Sequence, residues 1–306
     1  MNTPRSCELC GCIAELQQSH VLPAFVYRWV RETSPGKLRT VEQPNVRIQD
    51  GPTREWLCEA CEQRFSNWEK PFAETVFQYV HRTSVEQQPV AYREWALKFA
   101  ASISWRTQLF FRENGLDHLS TVDRACLSRA ADTWRDFLLD RIPHPGEFEQ
   151  HVLLVDTVEE SSGPPISPFL NRYFLRTIQT DLVTSKSMCF TYAKLCRVVI
   201  IGFVRMKAPQ YWKGTKLHLR TGKIGGDCRI PELLMHYWND KANQVAAAMA
   251  SMSPRQVDKI DLVFANTDPD RMAESETFRA MSADVRFSGD EAFRATGRGP
   301  KDDDAG

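Results

Sequence analysis

Apolar residues recur at three- and four-residue steps through the first half of the chain, and that period predicts helices. Val26, Trp29 and Val30 mark one face of a short helix, and Phe65, Trp68, Phe72 and Val76 mark a stripe along a longer one. Pro71 is expected to divide that stretch, because a proline inside a helix lacks the donor its turn requires. Tyr92, Trp95, Phe99, Ile103 and Phe110 give another amphipathic helix; a further one starts near Thr121, with Ser120 as N-cap, and reaches Trp134, Phe137 and Leu138. Beyond Pro143 and Pro145 the pattern changes. HVLLVDTV, RYFLRTIQTDLV, MCFTYAKLCRVVIIGFV and TKLHLRT are rich in β-branched and aromatic residues and read as strands of a sheet. Pro231 opens a helix to about Met252, KIDLVFA reads as a last short strand over 259–265, and residues 267–306 lose the apolar pattern and are expected to be disordered. The class predicted is α+β.

The chemistry is concentrated before Trp68. Two CxxC pairs, Cys7/Cys10 and Cys58/Cys61, bracket His20, with Pro23 three residues beyond it. Four thiolates satisfy a tetrahedral zinc ion, and each CxxC lets one tight turn deliver two sulfurs, so these cysteines are read as a structural zinc site. The 47 residues between the pairs are too many for a compact ribbon and suit a treble clef, in which a knuckle and a helix start are joined by a hairpin. Residues 13–22 are the first hairpin strand, ending at His20; residues 33–55, with Pro35, Gly36, Pro44, Gly51 and Pro52, read as an irregular loop. Cys12 is read as a small buried thiol.

Composition narrows the class. At 306 residues, 42% hydrophobic and 25% charged, the chain has room for one large domain or two smaller ones. No apolar run reaches the roughly 18–20 residues of a membrane span, and the opening MNTPRSCELC lacks a secretory apolar region. Nine cysteines with two CxxC pairs then suggest reduced thiols and a cytoplasmic protein. The net charge is zero but unevenly spread. Residues 1–82 carry ten basic and ten acidic residues, residues 112–160 five and eleven, and residues 167–230 twelve basic residues against Asp181 and Asp227. Such segregation marks either a polyanion-binding face, with Lys213, Lys216 and Arg220 as candidate contacts, or a basic surface balanced in space by the acidic helices.

A CxxC knuckle, a histidine ten residues on in an HxxP context, and a second CxxC opening a helix resemble the zinc-containing HNH endonucleases, members of the ββα-metal (His-Me finger) nucleases. The resemblance covers about residues 5–70, and the longer pattern, SHVLPAF ahead of LCEACEQRF, is similar to a group of uncharacterised bacterial HNH-like proteins. It implies that His20 is the general base for water attacking a phosphodiester, and that Mg2+ or Mn2+ sits between hairpin and helix. Imidazole suits that task because it titrates near neutrality. Two positions depart from the family: Ser19 stands where Asp is common, and Glu62 where His or Asn follows the last zinc cysteine. The middle Asn is absent from GPTREWLC. A carboxylate is a hard ligand for magnesium, so Glu62, alone or with Glu69, is the candidate holder of the catalytic metal.

The domains expected are an HNH-like zinc module at 1–82, a helical segment packed on it at 83–145, a basic α+β domain with an antiparallel or mixed sheet at 146–266, and the tail. The function expected is metal-dependent hydrolysis of nucleic acid, DNA favoured over RNA. The alternative is a non-catalytic zinc treble clef that binds nucleic acid or a protein partner.

Overall fold

The computed structural model describes residues 3–82, 89–161 and 166–294. In chain order the strands and helices are β1 (Arg5–Ser6), β2 (Ile13–Ala14), β3 (Leu16–His20), α1 (Ala24–Glu32), β4 (Thr53–Cys58), α2 (Glu59–Phe72), α3 (Gln78–Arg82), β5 (Val90–Tyr92), α4 (Trp95–Asn114) and α5 (Thr121–Leu138). There follow β6 (Gln150–Leu154), α6 (Leu170–Arg176), β7 (Ile178–Thr184), β8 (Met188–Leu195), β9 (Val198–Met206), β10 (Gly222–Ile224), α7 (Glu232–Ala250), α8 (Pro254–Ala265), α9 (Pro269–Ala273), α10 (Glu276–Ser288) and α11 (Glu291–Arg294). The chain is a mixed α+β protein whose paired strands are antiparallel. Among the described residues no helix is long and apolar enough to cross a membrane.

Two compact units divide the chain, and the division is not the linear one expected at 82, 145 and 266. One unit joins Met1–Phe25, Gly51–Leu154 and Ile178–Ile230. Its centre is a four-stranded sheet in the order β6-β9-β8-β7, with α4 and α5 packed on it. Gly202 on β9 lies where α4 crosses: a Cβ there would collide with the side chains of Ser104 and Thr191, so a glycine is what allows the helix to approach. Ser120 caps α5, its hydroxyl accepting the Asp123 N–H at 3.0 Å, as the sequence predicts. Helix α2 does not break at Pro71. It runs through the proline to Phe72, and the next five residues, Ala73–Phe77, wind as a π turn that carries the helix on into α3. TKLHLRT forms no strand; it is an irregular segment held by a single bridge, Lys216 opposite His151, and Lys213 just before it bridges to Arg229.

The other unit joins Val26–Asp50, Val155–Thr177 and Pro231–Gly306. Half of the expected strand RYFLRTIQTDLV is here the buried helix α6. The Asp284 carboxylate on α10 accepts the N–H groups of Asn171 (2.8 Å) and Arg172 (3.2 Å), which supplies the acceptors that the start of a helix lacks. KIDLVFA is the end of α8, not a strand; Val257, Ile260 and Phe264 fall at three- and four-residue steps after Pro254 at the first helical position. Residues 267–294, expected to be disordered, hold α9, α10 and α11, and the rest of that tail lies outside the described residues. Ser275 caps α10 by accepting from the Phe278 N–H at 3.0 Å, and the helix buries Ala280, Ala283 and Asp284.

Candidate metal centre and the adjoining histidine

The first CxxC is built by a tight turn. β1 and β2 pair with Arg5 opposite Ala14 and Ser6 opposite Ile13, which brings the ends of the knuckle together. Within it the Gly11 N–H donates to the Cys7 carbonyl at 2.8 Å, and the Cys7 N–H to the Cys12 carbonyl at 2.9 Å. Gly11 sits at φ +80°, a conformation glycine takes without penalty. The second CxxC straddles a strand-to-helix junction: Cys58 closes β4 and caps α2, and Cys61 lies in the first helical turn. The Glu8 N–H donates to the Trp56 carbonyl at 2.9 Å and ties the knuckle to β4.

The four sulfurs of Cys7, Cys10, Cys58 and Cys61 all lie within 4.8 Å of one another, and Cys10 Sγ is 3.8 Å from Cys58 Sγ. A zinc ion holding four thiolates at about 2.3 Å sets neighbouring sulfurs about 3.8 Å apart, so donors and spacing both fit a tetrahedral metal. The Cys58 N–H points at Cys7 Sγ at 3.4 Å, and the start of α2 adds its partial positive charge. Thiols this close cannot all ionise without a cation among them. The Cys7 thiol is held well below its ordinary value, chiefly by its hydrogen bond with Cys61, whose own thiol the same contact pushes up. Cys12 is exposed and outside the cluster, contrary to the reading of it as a buried thiol.

His20 ends β3, paired with Thr53 across to β4, and is half-buried. The residues around it are linked by two contacts. The buried Ser19 hydroxyl donates to the Glu62 carboxylate, joining the strand to the first turns of α2. Arg106 on α4, almost fully buried, donates from Nη1 to the His20 carbonyl at 3.1 Å and from Nη2 to Glu69 Oε1 at 2.7 Å, with its guanidinium over the Phe65 ring. Glu69 is therefore committed to a cation of the chain itself. Among the described residues the four cysteines are the group of three or more metal-ligating side chains that comes together; His20, Glu62 and Glu69 do not close into a second.

Sequence reasoning had not singled out Arg106, although an arginine within the apolar run ISWRTQLFF implies a buried partner. It also missed a network on β6. His151 is buried, with Nδ1 2.7 Å from Thr215 Oγ1 and Nε2 3.2 Å from Glu149 Oε2, and Lys216 pairs with the same Glu149 carboxylate. Of the candidate nucleic-acid contacts, Lys213 and Arg220 are exposed, whereas Lys216 is half-buried and spends its charge on Glu149. All three lie on the irregular segment after β9 and not on the sheet.

The geometry defines a mixed α+β protein with a four-cysteine cluster able to hold a metal ion. No protein-family model, no curated protein and no solved structure matches the chain.

Proposed function

We propose that the protein is an HNH-type endonuclease that hydrolyses phosphodiester bonds in nucleic acid, DNA in preference to RNA, with a zinc ion on the four cysteines as structural support. The observation that carries this reading is the order of parts: an antiparallel strand pair, β3 and β4, leads directly into α2; His20 ends the first strand; and Glu62, one residue past the last cysteine, is joined to that strand end through Ser19. In this scheme the His20 imidazole takes the proton of the attacking water. Glu62 holds magnesium or manganese, which when bound supplies positive charge for the phosphate and the leaving oxygen. Ser19, in the place where the family favours Asp, orients the Glu62 carboxylate.

A second reading, a non-catalytic zinc module that binds nucleic acid or a protein, is favoured by one observation: Glu69 is taken by Arg106, which leaves Glu62, bonded to Ser19, as the other candidate carboxylate for a catalytic metal. Cleavage of plasmid and of RNA, with and without added magnesium or manganese, separates the two. The endonuclease cuts only with added metal. Glu62→Ala is inactive at low magnesium and is partly rescued by raising it, because the lost contact is to the ion. No cleavage by the wild-type chain with either metal leaves the binding module.

A further inference from the structure

We propose that the cleft between α2, α4 and the C-terminal end of α5 binds an unpaired nucleobase, adenine above the others. The cleft encloses about 860 Å3, within the range of roughly 300–1,000 Å3 typical of small-molecule sites. Its cations are already paired. Lys98 Nζ lies 2.7 Å from Asp140 Oδ1, Arg64 Nη1 lies 2.6 Å from Asp140 Oδ2, and both cations also donate to carbonyls at the end of α5. Glu94 brings the acidic residues in the lining to the same number as the basic ones. A free anion therefore finds both cations of the lining already paired with Asp140.

What the lining leaves available is flat and neutral. Trp95 is half-exposed, and its ring contact with Phe72 is perpendicular (6.3 Å, 82°), which among the described residues leaves it without a stacked ring. Gln63 and Asn67, both exposed, stand one turn apart on α2, with Gln63 Nε2 3.3 Å from Asn67 Oδ1. An indole face stacks on any base, and a carboxamide presents a donor and an acceptor that match the N6 and N7 edge of adenine. The same helix carries Glu62 next to Gln63, so a base seated here would lie on the helix that also bears the proposed catalytic carboxylate.

The inference rests on the nucleic-acid reading above, and equilibrium binding without added divalent ion tests it apart from cleavage. The full chain is titrated with fluorescent single-stranded oligo(dA) and oligo(dT), and with AMP as competitor. Oligo(dA) is expected to bind more tightly than oligo(dT), and Trp95→Ala to weaken it about tenfold. Because Trp95 also packs on Phe72, the exposed pair Gln63→Ala/Asn67→Ala is the second variant: it is expected to fold as the parent does and to lose the preference for oligo(dA). Competition by AMP identifies the free nucleotide as sufficient, and its absence with oligo(dA) binding intact identifies the strand as the ligand. Binding of oligo(dA) and oligo(dT) alike, or unchanged binding in both variants, overturns the proposal. Oligo(dA) binding by a chain that cuts nothing would remove the endonuclease and leave the cleft; metal-dependent cutting with both variants unaltered in binding would do the reverse.

Discussion

Single side chains decide much of how the first unit responds to its surroundings, and Glu149 is the clearest case. Its hydrogen bond to His151, with Lys216 beside it, pushes its carboxyl down to about 2 from an ordinary 4.5. Burial acts on His151 in the same sense, holding it below its ordinary 6.5. The signs add. The unfolded chain takes up a proton at His151 as pH falls below 6.5, and at Glu149 between 4.5 and about 2, while the folded chain resists both, so stability falls with acid across both windows. Glu149→Gln should therefore be less stable than the parent near neutrality, and that difference should shrink as pH falls from 4.5 toward 2. Urea unfolding followed at a series of pH values checks this, and a constant difference would refute it. None of this was legible beforehand, because a Glu and a His two apart on a strand share a face with or without a partner. The cluster of Cys7, Cys10, Cys58 and Cys61 was legible, because two identical CxxC spacings constrain chemistry directly. The fate of Glu69 was not, since its partner Arg106 lies 37 residues away on another helix.

Elements were readable where their period was unambiguous. α4, α5 with its Ser120 cap, α7 and the β8–β9 pair follow the apolar pattern. The failures share a physical cause. α6 and the stretch KIDLVFA taken without the earlier turns of α8 are short apolar runs, and such runs have no period long enough to separate helix from strand. α10 is held by Ala280, Ala283 and a buried Asp284, so its core face carries little apolar signal. The pair β3–β4 depends on something outside its own sequence: the knuckle before β3 and the start of α2 after β4 come together at the four cysteines. Purified protein should hold one zinc per chain, and losing it should unfold the hairpin, because the site links segments about fifty residues apart. Elemental analysis with amide exchange of β3 and β4 in Cys58→Ser tests this. Absence of zinc, or protection equal to that of the parent, would contradict it.

At the scale of the whole molecule the segregated charge proves to be partly balanced. Arg205 pairs with Asp123 at 2.8 Å and Lys216 with Glu149, each joining the basic stretch to the acidic one. Lys213, Arg220, Lys223 and Arg229 remain exposed on the segment around β10. If they meet phosphates, affinity for nucleic acid should fall steeply with salt, and Lys213→Glu/Arg220→Glu should weaken binding alike for all sequences and flatten that slope. Lys216→Glu should change it less, since that charge is already engaged. Salt-independent binding would point to a protein partner instead. The central claim, that His20 is the base of a phosphodiester hydrolase supported by the cysteine site, is tested most directly by plasmid cleavage with magnesium, comparing His20→Ala with the parent while zinc content is measured in the same samples. His20→Ala is expected to lose roughly two to four orders of magnitude in rate and to retain its zinc and its affinity for DNA. Cleavage at the parental rate, or loss of zinc together with activity, would contradict it.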